Sequence, residues 1–249
     1  MSVAESMLRT VVSVLLLGGV AVVVLRVAGV QRWWGPAPAL LRAGVQLAAL
    51  SLVLAGIITN PWWVSGALAV MFFAAVTVST RRAGVPLADA WRTAAAMGTG
   101  VSLAGVVVFS SGAVELTPRY ALAVGAMVVG NAMTVATLAG RHFAQARVDK
   151  WSEVEAWLAL GANPKRAVRE VARIAVHDAL IPALDQTRTT GLVVLPGAFV
   201  GAIFGGLSPI EAGRFQLVVL AAILASGTIT AVLTVRLTSR VAVRPSALR

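Results

Sequence analysis

FQLVVLAAILASGTITAVLTV, residues 215–235, runs without a single charge. A helix rises about 1.5 Å per residue, so this stretch reaches ~30 Å, the thickness of bilayer hydrocarbon. Comparable apolar stretches lie N-terminal to it at residues 8–28, 39–59, 62–80, 93–112, 120–140 and 189–206. They predict an all-α fold with about seven transmembrane helices. The composition agrees, since 58% of the 249 residues are hydrophobic and 12% are charged, outside the range of soluble domains. The whole chain, residues 1–249, reads as one membrane domain.

A net charge of +11 would suit nucleic acid if it were clustered, but the basic residues flank the ends of the apolar stretches. That placement fixes orientation in a bilayer against anionic lipid, and no nucleic-acid partner is expected. Arg26, Arg32 and Arg42 mark the first connection, whereas Thr59, Asn60, Pro61 and Trp62 form an uncharged second one. Arg81, Arg82 and Arg92 mark the third, Glu115 and Arg119 the fourth, residues 141–188 the fifth, and Glu211 and Arg214 the sixth. The tail carries Arg236, Arg240, Arg244 and Arg249. With the N-terminus outside, only Arg9, Arg119 and Arg214 of the 21 basic residues lie outside. The remaining 18 and the C-terminus are cytoplasmic. The expected location is the cell inner, cytoplasmic membrane, crossed several times.

The first stretch is expected to stay as a span, because its leading basic charge is Arg9 alone, offset by Glu5, and no A-x-A site follows. Trp33, Trp34, Trp62 and Trp63 fall at span ends, where indole rings prefer the headgroup layer. The absence of cysteine excludes disulfides, thiolate metal sites and a Cys nucleophile. Two histidines, His142 and His177, are too few for a His-rich metal centre.

Residues 141–188 are too long and polar for a turn. Val168, Val171, Ala172, Ala175 and Ala179 recur at helical spacing opposite Lys165, Arg166, Arg169 and Arg173, which makes a cationic amphipathic helix. It can lie on anionic lipid or pack its apolar side on the membrane domain. Before it, Glu155, Ala156 and Trp157 lead into Leu160, Gly161, Ala162, Asn163 and Pro164. Gly161 suits the left-handed end of one helix, Asn163 the cap of the next and Pro164 its first turn. A short, exposed helical hairpin is predicted.

The run EAWLALGANP, Glu155–Pro164, resembles the EAA motif of ABC-transporter permeases, with Trp157 in place of the second Ala and His177 in place of the later Pro. Four motifs stand in one order: GNAM at Gly130–Met133, LGA at Leu160–Ala162 within that run, LIPALD at Leu180–Asp185 and GLVVLPG at Gly191–Gly197. With Gly201, Pro209, Ala212 and Gln216 they are similar to the FetB-type permeases, over residues 38–240. The resemblance implies a transport subunit that dimerises with itself and hydrolyses nothing. It also implies a separate cytoplasmic ATPase, carrying the ATP and Mg, that is docked by Glu155–Pro164. This chain has no G-x-x-x-x-G-K-[ST] loop of its own and no cofactor is expected on it. Iron or another metal is the implied cargo, moved outward. Ala198 and Phe199 stand where many relatives have Met-Met, so two thioether ligands are missing.

Within the spans, Asn131 is the expected pore residue, because an amide at membrane depth needs a partner or a polar cavity. Met133, Pro196, Gly197 and Gln216 complete the expected path, with Pro196 and Gly197 as a kink or gate. Asp185 and Arg188 are spaced for an ion pair at the cytoplasmic start of the sixth span. Glu115 and Glu211, on the outer side, are candidate metal ligands. Competing readings are an ATPase-coupled permease for a non-metal solute such as a nucleotide sugar, a stand-alone secondary carrier, and an intramembrane Ser protease. The last two lack, respectively, carboxylates and a His within the predicted spans.

Overall fold

A computed structural model describes residues 3–57 and 60–238 and folds them almost entirely as α-helix. Thr59, Arg240, Arg244 and Arg249 lie outside the described residues. The chain divides into two compact units, Met1–Ile58 and Thr59–Arg249. The first is a pair of helices, α1 (Val3–Val27) and α2 (Pro36–Ile57). Gly18 lets Leu40 approach, since a Cβ there would meet the leucine side chain at 2.8 Å. In the connection, Arg26 lies over the Trp33 ring at 4.9 Å.

The second unit holds α3 (Pro61–Arg82), α4 (Ala90–Ser110), α5 (Pro118–Asp149), α6 (Trp151–Ala159), α7 (Pro164–Ala167), α8 (Arg169–Thr189), α9 (Gly197–Phe204) and α10 (Pro209–Thr238). Several start alike: a capping side chain followed by Pro. Asn60 precedes Pro61, Thr117 precedes Pro118 and Asn163 precedes Pro164, and each side chain accepts a backbone N–H of the first turn. The cap satisfies an orphan donor, and proline at the next position loses nothing.

Five helices among the described residues are long and apolar enough to cross a bilayer, namely Glu5–Val27, Pro61–Arg82, Leu87–Ser110, Pro118–Asp149 and Pro209–Thr238. The chain is an all-α, multi-pass membrane protein. Its core is made of small residues that let backbones close up: a Cβ on Gly100 of α4 would stand 2.6 Å from the Ser226 carbonyl and 2.7 Å from Thr230 Oγ1 of α10. At one end of this unit Arg81 and Arg82 close α3, and Arg141 Nε donates to the Arg82 carbonyl at 2.6 Å. The other end carries the caps Asn60 and Thr117.

The stretch 189–206 does not form the single helix predicted for it. Residues 190–196 make a tight turn, bridged between Thr190 and Val194, and only Gly197–Phe204 is helical. Eight residues span about 12 Å, too short for a crossing. Pro196 is the physical reason, because it lacks an N–H and biases the residue before it toward extended backbone.

The amphipathic helix takes the adjacent place instead. Val171, Ala175, Ala179 and Ala183 of α8 are buried, the first three in one cluster with Val135 and Ala139 of α5 and Ala231 and Val235 of α10. Its apolar side therefore packs on the membrane domain. From Val168, beside Phe143 at the basic end, it runs to Leu180, which meets Gly227 together with Asn131. Asn131 is ten residues from Arg141 and fourteen from Thr117, about 15 and 21 Å along α5. Leu180 is therefore near mid-depth, and the last nine residues of α8 continue about 14 Å beyond it.

Candidate functional site

At the basic end, α6 and α7 form the hairpin the sequence predicts. Val154 is fully buried against the core shared by α5, α8 and α10, and Trp151 and Leu158 pack beside it. The chain then reverses at Gly161, whose φ of 81° is the left-handed region that a side chain resists. Asn163 accepts the Arg166 N–H at 2.9 Å and caps α7. Glu155, Ala156, Trp157, Gly161, Asn163 and Pro164 are exposed, Ala162 is half-buried, and Leu160 is 81% exposed. Arg166 lies over the Trp157 ring at 5.7 Å. The hairpin is held from below by apolar contacts, with a charge and two large apolar side chains outward.

At mid-depth, Asn131 sits where α5, α8 and α10 meet. Its buried Oδ1 has no hydrogen-bond partner among the described residues, and it lies 3.3 Å from the point where a Cβ would sit on Gly227. Met133, two residues on, packs half-buried against Val129, Ala132 and Met97. Gln216 is 6% exposed with Oε1 unpartnered, but it is eleven residues along α10 from Gly227, about 16 Å away. Asn131 and Gln216 therefore do not form one site. Pro196 is buried and starts α9, and Gly197 is exposed beside it.

Toward the far end, Glu115 and Glu211 line one cavity of about 220 Å³ with Tyr120 and Arg214. Glu211 is already engaged: its Oε2 accepts Ser208 Oγ at 2.7 Å and Ser208 N at 3.1 Å, while Ser208 Oγ accepts the Glu211 N–H at 3.3 Å. This is a capping box that starts α10. The SPIE run, Ser208–Glu211, signals it in sequence. No group of three or more metal-ligating side chains occurs among the described residues.

Residues 8–243 match the family described as Uncharacterised protein family (UPF0014). The chain belongs to this family. It is 34% identical over 199 residues to the "UPF0014 membrane protein STAR2" of Oryza sativa subsp. japonica, covering 78% of this chain and 69% of that protein. It is 33% identical over 144 residues to the "Probable iron export permease protein FetB" of Escherichia coli (strain K12), covering 58% of this chain and 55% of that protein. It is 39% identical over 116 residues to the "Protein ALUMINUM SENSITIVE 3" of Arabidopsis thaliana, covering 47% of this chain and 42% of that protein. No solved structure matches the chain.

From the sequence, Asp185 and Arg188 are expected at the cytoplasmic start of a span. In the structure they lie in the last turns of α8, beyond the level of Leu180, and they pair as expected at 3.7 Å. Asp178 and His177 stand close to the level of Leu180, so a carboxylate and an imidazole occur on a helix packed against α5 and α10. The spacing of residues 173, 177, 181 and 185 along one helix face was the available signal. It was obscured because the segment is polar overall. Near the basic end, a cavity of about 720 Å³ opens between α8 and α10, with Lys165, Arg169 and Arg173 around Val176 and Val232.

Proposed function

We propose that this chain is the membrane-spanning permease subunit of an ABC transporter that exports a metal cation, working as a homodimer above two copies of a cytoplasmic ATPase. The anchored hairpin carries the reading, because a fixed lever with Glu155, Trp157, Leu160 and Gly161 facing outward suits a rigid partner's groove. ATP and Mg would be held by that partner. Metal as cargo is supported by the printed names of relatives, which mention iron export and aluminium sensitivity.

The proposed topology keeps seven crossings with a different sixth. α1, α2, α3, α4, α5, α8 and α10 are each 21 residues or longer. α8 runs outward, and the turn and α9 connect it to α10 near the outer surface, where Phe199 touches the Gly213 position. Arg188 then joins Arg9, Arg119 and Arg214 outside, leaving 17 of 21 basic residues within. That excess keeps the N-terminus outside and the C-terminus cytoplasmic.

A non-metal cargo remains the second reading, favoured by Ala198 and Phe199, which offer α9 no thioether. The test is capture of a nucleotide-binding subunit co-expressed with the chain, followed by flux in vesicles with and without ATP. Capture that depends on Trp157 and Gly161, with ATP-driven metal efflux, is expected. Metal transport that proceeds at full rate without any ATPase would sink the proposal.

A further inference from the structure

Other exposed sides of the second unit are apolar: Val70 and Phe73 on α3, Leu103, Val106 and Val107 on α4, and Leu217 on α10 are all exposed. α8 differs. Its exposed side carries Arg173, His177, Ile181, Asp185 and Arg188, one above another at helical spacing. This stripe extends from near the basic end past the level of Leu180 and Asn131. Charged side chains at that depth are rare against lipid and instead face a cavity or a partner. The ion pairs within the stripe, Arg173 with Glu170 and Arg188 with Asp185, are 3.4 and 3.7 Å long and remain exposed, so they do not remove the stripe's need for water. By comparison, α1 and α2 carry no charge between residues 10 and 25 or between 43 and 57.

A second observation points to the same face. Pro182 lies inside α8 and is exposed, and it leaves the Asp178 carbonyl without its helical N–H partner close to mid-depth. Backbone freed at membrane depth is tolerated where it faces protein or lines water.

We infer that this face of α8 lines the water-filled translocation path, opposite the same face of α8 in a second copy of the chain. Two copies related by an axis along the membrane normal would set Asp185 level with Asp185 and Arg188 level with Arg188. Like charges at equal depth resist dry packing, so the two stripes stand apart with water between them. A hydrophilic, charged solute is the class of cargo such a path admits. The inference rests on the permease reading for what moves through the path, but the accessibility of the stripe does not depend on that reading.

The chain has no cysteine, so single cysteines report unambiguously. Ile181→Cys, Asp185→Cys and Arg188→Cys in the full chain, and Phe73→Cys and Val106→Cys as lipid-facing controls, are exposed in sealed vesicles to a charged, membrane-impermeant thiol reagent. The stripe is expected to label at least ~10-fold faster than the controls, because the reagent is excluded from hydrocarbon. Ile181→Cys matters most, since it replaces an exposed apolar side chain with a smaller one and keeps every charge. Stripe labelling as slow as the controls overturns the inference, and so does ready Ile181→Cys cross-linking without labelling, which marks a dry seam. The assay needs neither ATPase nor cargo, so it can fail while ATPase capture succeeds, or the reverse.

Discussion

Asn131 Oδ1 and Gly227 face each other across the α5–α10 contact, 3.3 Å from oxygen to the missing Cβ position, and no donor among the described residues reaches that oxygen. Gly227 keeps open the slot in which this oxygen sits. Asn131→Ala is expected to leave the thermal midpoint of the purified chain within about 2 °C of wild type, because no bond within the protein is lost. If this buried amide serves the path, vesicle efflux falls about tenfold or more; a path confined to the exposed face of α8 leaves efflux unchanged. A large drop in midpoint with unchanged efflux would assign Asn131 to packing.

Gly100 and Gly105 separate close approach from mere helix flexibility within α4. A Cβ on Gly100 meets the Ser226 carbonyl at 2.6 Å, whereas one on Gly105 meets nothing within 4 Å. Gly100→Ala is expected to cost about 1–3 kcal/mol through overpacking. Gly105→Ala should be neutral or gain about 0.5–1 kcal/mol from lower backbone entropy. Thermal unfolding of the two variants in one detergent checks the sign of each.

Glu211 is the residue for which a cap and a metal ligand make opposite forecasts. Its carboxylate bonds Ser208 N and Oγ, and a neutral amide oxygen can accept the same two bonds. Glu211→Gln is expected to keep stability, and Glu211→Ala to lose about 0.5–2 kcal/mol as other cap losses do. Metal-dependent stabilisation of the wild type that vanishes in Glu211→Gln would reverse this assignment.

Much of the fold was readable because its signals are local. The cap and proline pairs at Asn60–Pro61, Thr117–Pro118 and Asn163–Pro164 give helix starts directly, and uncharged length marks most crossings. The single long helix expected over 189–206 did not form, because hydropathy weighs the apolar GLVVLPG run without its turn and proline. Chain length and Pro196 decide against the apolar stretch, while burial of Val171, Ala175 and Ala179 seats the more polar α8 against α5 and α10. Such burial is a non-local fact that no window of sequence contains. The hairpin was legible down to Gly161 and Asn163, whereas the slot between Asn131 and Gly227 pairs residues 96 apart in sequence and was not.

The coupling reading makes its sharpest forecast at Trp157. The ring is 46% exposed, with Arg166 over it at 5.7 Å, and the helix beneath is held by Val154, which is fully buried. Trp157→Ala removes an exposed side chain and should shift the thermal midpoint of the permease by only a degree or two, as surface changes do. Loss of a central aromatic anchor from an interface typically costs about 2 kcal/mol or more, some 30-fold in affinity, so capture of the ATPase should fall by that order. Val154→Asp is the contrasting variant: it buries a charge in the α5–α8–α10 core and should reduce permease stability and ATPase capture together. Gly161→Ala lies between them, because its φ of 81° strains any side chain by about 1–2 kcal/mol and distorts the tip while leaving the core intact. Titrating the ATPase against each variant, with unfolding followed in parallel, orders the three. Undiminished capture by both Trp157→Ala and Gly161→Ala would move the docking surface elsewhere on the chain.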